Sequence, residues 1–264
     1  MEGGTLLREL RQRRRLTQLD LALDADISPR HLSFVETGRA QPSREMLLHL
    51  SEELEIPLRE RNTLLVAAGF APMFRERKLD DAALARAREA IDLVLEAQKP
   101  FPAFALDRHW NIAASNRALQ ELYEGVGEEL LRPPVNAMRL SLHPKGIAPR
   151  IENLAEWHAH LRARLRKQVE VTADPVLKEL LAEVSTYPQP EGRAPEAGFE
   201  QAVLVPLKIR TTLGVLSFMS TTTVFGTPVD VTLSELAIEM FFPVDHATAA
   251  AVKNASRAHA SGSM

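Results

Sequence analysis

The sequence of 264 residues predicts a two-domain protein: an all-α domain of five short helices, then an α+β domain with an antiparallel sheet. Three observations predict it. Helix-capping residues recur at short intervals as far as Gly69, each followed by apolar residues at helical spacing. After Pro100 the texture changes to short aromatic and β-branched runs. Late in the chain, residues 201–210 and 213–223 read as two strands separated by Thr211-Thr212. The expected division is 1–72 for the first domain, 73–99 for a connecting helix, 100–254 for the second domain and 255–264 for a disordered tail.

In the first domain, Leu6, Leu7, Leu10 and Leu16 mark the first apolar stripe. Thr17 is placed to cap a second helix running through Leu19, Ala22 and Leu23. Ser28 caps a third, with Pro29 at the first helical position, where a missing N–H costs nothing. Leu32 and Val35 turn inward, and Gly38 ends the helix in a left-handed conformation. Ser43 caps a fourth carrying Met46, Leu47, Leu50 and Leu54; Pro57 opens a fifth that stops near Gly69. The connecting helix starts at Asp80 and Asp81, shows the stripe Leu84, Ala87, Ile91, Val94 and Leu95, and ends before Pro100 and Pro102.

Residues 101–106 and 110–114 are short strand candidates joined by a turn at Asp107-Arg108, and Asn116 caps a helix through Leu119 and Leu122. Residues 150–185 read as helical, with Leu154, Trp157, Leu161 and Leu165 on one face. Residues 186–199, rich in Pro, Gly and Glu, read as a surface loop. Residues 229–242 hold a further strand or two, and Asp245 caps a last short helix.

Composition excludes several function classes. With no cysteine there is no disulfide, thiolate metal site or cysteine nucleophile. No apolar run approaches the roughly 20 residues of a membrane span, and Met1 to Leu10 has no hydrophobic signal core, so a cytoplasmic protein without membrane association is expected. There is no phosphate-binding Gly-rich loop, no G-x-S-x-G and no H-E-x-x-H. His158 and His160 are two apart and cannot share a metal from one helix, so neither a catalytic residue nor a metal ligand is assigned. The net charge of −3 does not announce a nucleic-acid partner, but Arg11, Arg13, Arg14 and Arg15 cluster near the start while acids outnumber bases towards the end.

The informative stretch is Leu16-Thr17-Gln18-Leu19-Asp20-Leu21-Ala22, then Ile27-Ser28, Leu32-Ser33, Val35-Glu36-Thr37-Gly38-Arg39 and Pro42-Ser43. Two helices joined by a tight turn set the second across the first, and the small Ala22 lets them approach. Over residues 5–70 this pattern resembles the XRE-type, or lambda-repressor-like, helix-turn-helix family. It departs at the turn position usually held by glycine, which is Asp26; Asp tolerates a positive φ better than most residues.

The resemblance implies double-stranded DNA as partner, with the third helix in the major groove. Gln18 would touch phosphate or a base edge. Ser28, Pro29, Arg30, His31 and Ser33 occupy the start of the recognition helix, and Arg30 is the candidate for a bidentate contact to guanine. Phe34 would meet a thymine methyl or pack. Arg39 and Arg44 would meet phosphates, as would Arg13, Arg14 or Arg15. Arg11 and Glu36 occupy positions that form a structural ion pair. One such unit has a small footprint, so a homodimer on a near-palindromic operator is expected.

The second domain carries Pro102-Ala103-Phe104-Ala105-Leu106-Asp107, Trp110-Asn111-Ile112-Ala113-Ala114-Ser115-Asn116, Asn136-Ala137-Met138-Arg139-Leu140, Trp157, Leu161-Arg162 and Asp174-Pro175-Val176-Leu177. In these it resembles the PAS-type ligand-binding domain of the MmyB-like regulators. The resemblance implies no cofactor in the usual sense, but a bound fatty-acid-like or other small apolar ligand. Candidate liners are Phe104, Trp110, Leu119, Leu122, Met138, Trp157, Leu161, Leu216 and Phe218, each of which, taken singly, would sooner serve as filled core. Arg139 or His143 would meet a carboxylate headgroup or form an ordinary salt bridge. The expected function is a ligand-responsive transcription regulator, not an enzyme, with the 80–97 helix as relay. The alternative is a constitutive DNA-binding protein whose second domain serves dimerisation or protein contact only.

Overall fold

A computed structural model describes residues 2–188 and 204–261. The chain forms two units. One runs to Asp81 and takes in Gly226–Ser234; the other runs from Ala82 to Phe225 and resumes at Glu235.

The first unit contains the five expected helices: α1 (Gly3–Arg13), α2 (Gln18–Asp24), α3 (Pro29–Glu36), α4 (Arg44–Glu53) and α5 (Leu58–Ala67). Their starts are set locally. The Thr17 hydroxyl accepts from Asp20 N–H while the Asp20 carboxylate accepts from Thr17 N–H, a reciprocal capping box. Ser28 accepts from His31 N–H and Ser43 from Met46 N–H. Each such cap stabilises its helix by about 1 kcal/mol. Gly38 and Gly69 take positive φ just past helix ends, as their positions suggest. The core gathers Leu7, Leu21, Leu32, Leu47, Leu50 and Leu64. Leu19 and Leu23, expected on the stripe of the second helix, are exposed instead; Leu21 and Ala22 face the core.

The second unit opens with a 3₁₀ turn, Ala82–Leu84, and then α6 (Ala85–Ala97). Asp80 and Asp81 precede that turn, and α6 has no side-chain cap. Leu84, Ile91 and Leu95 are buried as expected. The strands β1 (Ala103–Leu106) and β2 (Ile112–Ser115) follow, with the Asp107 carboxylate accepting from His109 and Asn111 N–H in their turn. Then come α7 (Arg117–Gln120), capped by Asn116, and α8 (Ala137–Leu142), capped by Asn136. The helical stretch 150–185 is two helices, α9 (Leu154–Thr172) and α10 (Pro175–Ser185). Ala173 breaks it with φ 52° and Asp174 caps the second piece, with Pro175 at its first position.

The sheet is completed by β3 (Leu207–Thr211), β4 (Gly214–Val224) and β5 (Ala237–Pro243). Its order is β2-β1-β5-β4-β3 and every pairing is antiparallel. The β3–β4 turn is Thr212-Leu213 rather than Thr211-Thr212, closed by Thr211 opposite Gly214, where φ 97° suits only glycine. Residues 189–199 of the expected loop and 201–203 of the expected strand lie outside the described residues. The segment 229–242 holds one strand, β5, preceded by the short α11 (Val231–Ser234), which belongs to the first unit. The last helix, α12 (His246–Ser261), begins where Asp245 accepts from Thr248 N–H. It corrects the expectation of a disordered tail from Ala255, which is helical as far as Ser261; the run of alanines has high helix propensity.

Alternate residues of the strands make one face of the second core. Phe104 and Leu106, Leu207 and Ile209, Leu216 and Phe218, and Phe241 meet Trp157, Leu161 and Leu165 of α9 and Leu177, Leu180 and Val184 of α10. No described helix is long and apolar enough to cross a membrane.

Candidate nucleic-acid interface and ligand cavity

A buried ion pair fixes the helix-turn-helix. Arg11 donates from Nε and Nη2 to the two carboxylate oxygens of Glu36 at 2.7 and 2.8 Å, and from Nη1 to the Leu16 carbonyl at 2.7 Å. Their side chains are 7% and 0% exposed. The hydrogen bonds to Glu36 raise the Arg11 pKa above its ordinary value against the opposing effect of burial. Gln18 Nε2 also donates to Glu36 at 2.7 Å. The amide expected to meet DNA is thus tied to the ion pair, which joins the end of α1, the start of α2 and the end of α3. Gly4 permits this closeness, since a Cβ there would stand 2.1 Å from the Val35 carbonyl oxygen.

The turn between α2 and α3 is tight. Asp26 takes φ 49°, in the left-handed region, and Ile27 N–H donates to the Ala22 carbonyl at 2.9 Å. The departure from glycine therefore leaves the turn geometry intact at some strain. On α3, Leu32, Val35 and Glu36 are buried, while Ser28, Pro29 and Arg30 are exposed and His31, Ser33 and Phe34 half-buried. The structure thus brings the predicted reading residues to one helix start. Arg30 lies over the Phe34 ring at 5.3 Å, which leaves its guanidinium outward on an aromatic support. The Ser28 hydroxyl is already engaged as the cap.

Around this helix, Arg39 and Arg15 are exposed and Arg44 is half-buried at the start of α4. Arg14 differs from expectation. It donates to the Leu54 and Glu55 carbonyls at 3.0 and 3.1 Å and so satisfies the open end of α4. Arg13 sits 3.8 Å from Glu9.

In the second unit, the predicted liners divide. Phe104, Trp110, Met138, Trp157 and Leu161 surround a void of only about 30 Å³, room for about one water. They are core. Leu119 is likewise buried in the core. Leu122, Leu216 and Phe218 line a different cavity of about 640 Å³. Arg139 is not at it; its guanidinium makes a paired contact with Glu183 at 2.8 and 2.6 Å, the ordinary salt bridge that was the other expectation for it. That pairing lowers the Glu183 pKa. His143 packs edge-on against Tyr187 at 5.0 Å.

Sequence reasoning missed the cations at the larger cavity, Lys99, Arg117 and Arg150, and the α12 residues Val252, Ala255 and Ser256. Arg150 is half-buried, donates to the Leu122 carbonyl, and has its pKa lowered by burial. Acids are also present: Glu121 lies 3.9 Å from Arg117, and Glu124 also lines the cavity. The α12 residues were hidden by reading the tail as disordered; Arg117 carried a signal in its place directly after the Asn116 cap. Among the described residues no cluster of three or more His, Asp or Glu side chains is gathered for a metal.

Comparison with known families bears on both units. Residues 87–255 match a family model described as the MmyB-like transcription regulator ligand binding domain. Residues 7–61 match a helix-turn-helix family model. Neither model describes an enzyme. No curated protein matches the chain.

Proposed function

The chain belongs to the MmyB-like transcription regulators, a DNA-binding regulator with a ligand-binding domain, and from that premise we propose that it reads a near-palindromic operator as a homodimer and senses a small apolar acid, fatty-acid-like in shape. The observation that carries the ligand reading is the cavity of about 640 Å³, against a void of about 30 Å³ among Phe104, Trp110, Met138, Trp157 and Leu161. Its volume falls within the range of small-molecule sites, about 300–1,000 Å³. Leu122, Leu213, Leu216, Phe218 and Val252 supply apolar wall, and Arg150 supplies positive charge at the same place together with Lys99 and Arg117, which stand next to Glu96 and Glu121. An apolar chain with an anionic end satisfies both: the chain removes apolar surface from water and the end accepts charge-assisted hydrogen bonds. The strand order β2-β1-β5-β4-β3, with the core on the helical side, supports a PAS-like reading of this unit.

For DNA, the supporting observation is the exposed start of α3 above a buried Arg11–Glu36 lock. The face is small and carries few cations, so one unit has weak non-specific affinity, about 10⁻⁴–10⁻⁶ M. Two units on half-sites about one helical turn apart give useful affinity.

The test has two arms. Mass spectrometry of an organic extract of the purified protein should release an apolar acid, and calorimetry of the emptied protein should detect dodecanoate binding. Selection from random duplex DNA should enrich an inverted repeat that sediments with two chains. A protein that yields no extractable molecule and takes up no dodecanoate defeats the ligand reading. One that enriches no sequence defeats the DNA reading.

A further inference from the structure

The segment Gly226–Ser234 joins β4 to β5, two neighbouring strands of the ligand-binding unit, yet it belongs to the first unit. We propose that this segment is a strap through which the state of the ligand cavity sets the DNA affinity of the helix-turn-helix; the proposal rests on the ligand reading above and adds its route of regulation.

The strap is held by specific bonds within the first unit. The Asp230 carboxylate, whose side chain is 2% exposed, accepts from Arg77 Nη1 at 2.8 Å. Val231, fully buried, donates its N–H to the Arg75 carbonyl at 2.8 Å. Thr232 donates its hydroxyl to the Arg77 carbonyl. Asp230 is buried while the Arg77 side chain is a quarter exposed, so removing Arg77 would strand a buried carboxylate. The strap is therefore pinned at one place rather than resting loosely on a surface.

From there the contacts run to the reading helix. Residues 73 and 74 are tied to α5 by Asn62, whose side-chain oxygen accepts from Met73 and Phe74 N–H and whose amide donates to the Phe74 carbonyl. Arg59 of α5 holds Glu76 at 2.6 and 2.8 Å. The helix α5 packs on α1, and α1 packs on α3, where Arg11 meets Glu36. From the other direction, Leu216 and Phe218 of β4 line the cavity, and the β4–β5 ladder stays paired out to Val224 opposite Ala237. The paired ribbon thus reaches from the cavity wall to within two residues of the strap. Beside the strap lies a groove of about 490 Å³ lined by Leu48, Ile56 and Pro57 and by Gly226, Thr227 and Pro228. Coupling needs an element that both sites can bias; the strap, continuous with β4 and β5 and bonded to Arg75 and Arg77, is the segment placed for that role.

The experiment measures affinity of the full-length protein for its selected duplex with and without dodecanoate, in the wild type, Asp230→Asn and Arg77→Met. In the wild type dodecanoate should change DNA affinity by about fivefold or more. In each variant the change should fall below about twofold while dodecanoate affinity stays within about twofold, and the double variant should show no further loss, as expected for partners in one interaction. Full retention of the effect in both variants overturns the strap. Should dodecanoate not bind the wild type, the ligand reading fails first, and the strap is judged by Leu216→Trp, which fills the cavity without a ligand. Amide exchange at Val231 and along α5 should then differ from wild type, and the difference should vanish in Leu216→Trp/Asp230→Asn; exchange unchanged by Leu216→Trp overturns the strap.

Discussion

Arg11 and Glu36, expected from the resemblance to form a structural ion pair, meet as one in a buried site. Removing one partner leaves a charge stranded at a site where both side chains are nearly inaccessible. Arg11→Met or Glu36→Gln should lower stability of the first unit by about 3–5 kcal/mol, and Arg11→Met/Glu36→Leu by much less; urea denaturation checks both. Arg30, outward over Phe34, should behave oppositely: Arg30→Ala should leave denaturation unchanged and relax preference at one guanine by about 1–3 kcal/mol, read by competition binding. His158 is 2% exposed, and burial, then the nearby Arg162 charge, lower its pKa below the ordinary 6.5. A group held neutral in the fold favours the folded state above its unfolded pKa and withdraws that support as pH falls towards the folded value. Stability should therefore decline as pH drops below about 6.5, and His158→Gln should flatten that decline in thermal denaturation across pH 7 to 5.

Elements were legible where a local rule fixes them. Thr17, Ser28, Ser43, Asn116 and Asp245 were all recognisable as caps, because a cap needs only its own short side chain and the next turn's N–H. Asp26 was legible for the same reason, and its φ of 49° makes a prediction: Asp26→Gly should stabilise the first unit by about 1 kcal/mol in thermal denaturation, because glycine has no Cβ to crowd the left-handed backbone. What failed were assignments that depend on a distant partner. Leu19 and Leu23 sit at helical spacing but face outward. Arg14 sits among cationic neighbours in sequence but serves the end of α4, forty residues away. The helix after Asp174 was merged with its predecessor, although Asp-Pro is itself a start signal.

At the scale of the molecule, the candidate liners all join or pack against one core, and Leu122, Leu216 and Phe218 also border the larger space. Phe104, Trp110, Met138, Trp157 and Leu161 close on one another, while Leu122, Leu216 and Phe218 leave space. Both sets look alike in sequence, since transfer from water rewards a wall of a cavity and a packed interior in the same way. The size of the space they border separates them. Arg150→Met should weaken dodecanoate binding about tenfold while leaving a neutral alkyl alcohol unaffected, because a hydrogen bond to a charged group is worth about 1.5–3 kcal/mol; calorimetry with the two ligands reads the difference.

The amino-acid order alone determined the two-domain division of character, the five amino-terminal helices with their caps and tight turn, the residues at the start of α3, and the absence of cysteine chemistry. Only the tertiary structure decided that Arg139 belongs to Glu183, that α12 helps wall a cavity with Arg150, and that Gly226–Ser234 leaves the sheet's unit for the helical one. The reason is range: caps and turns are closed within a few bonds of the residue that makes them, whereas a cavity or a buried ion pair depends on how many separated segments happen to fill the same volume.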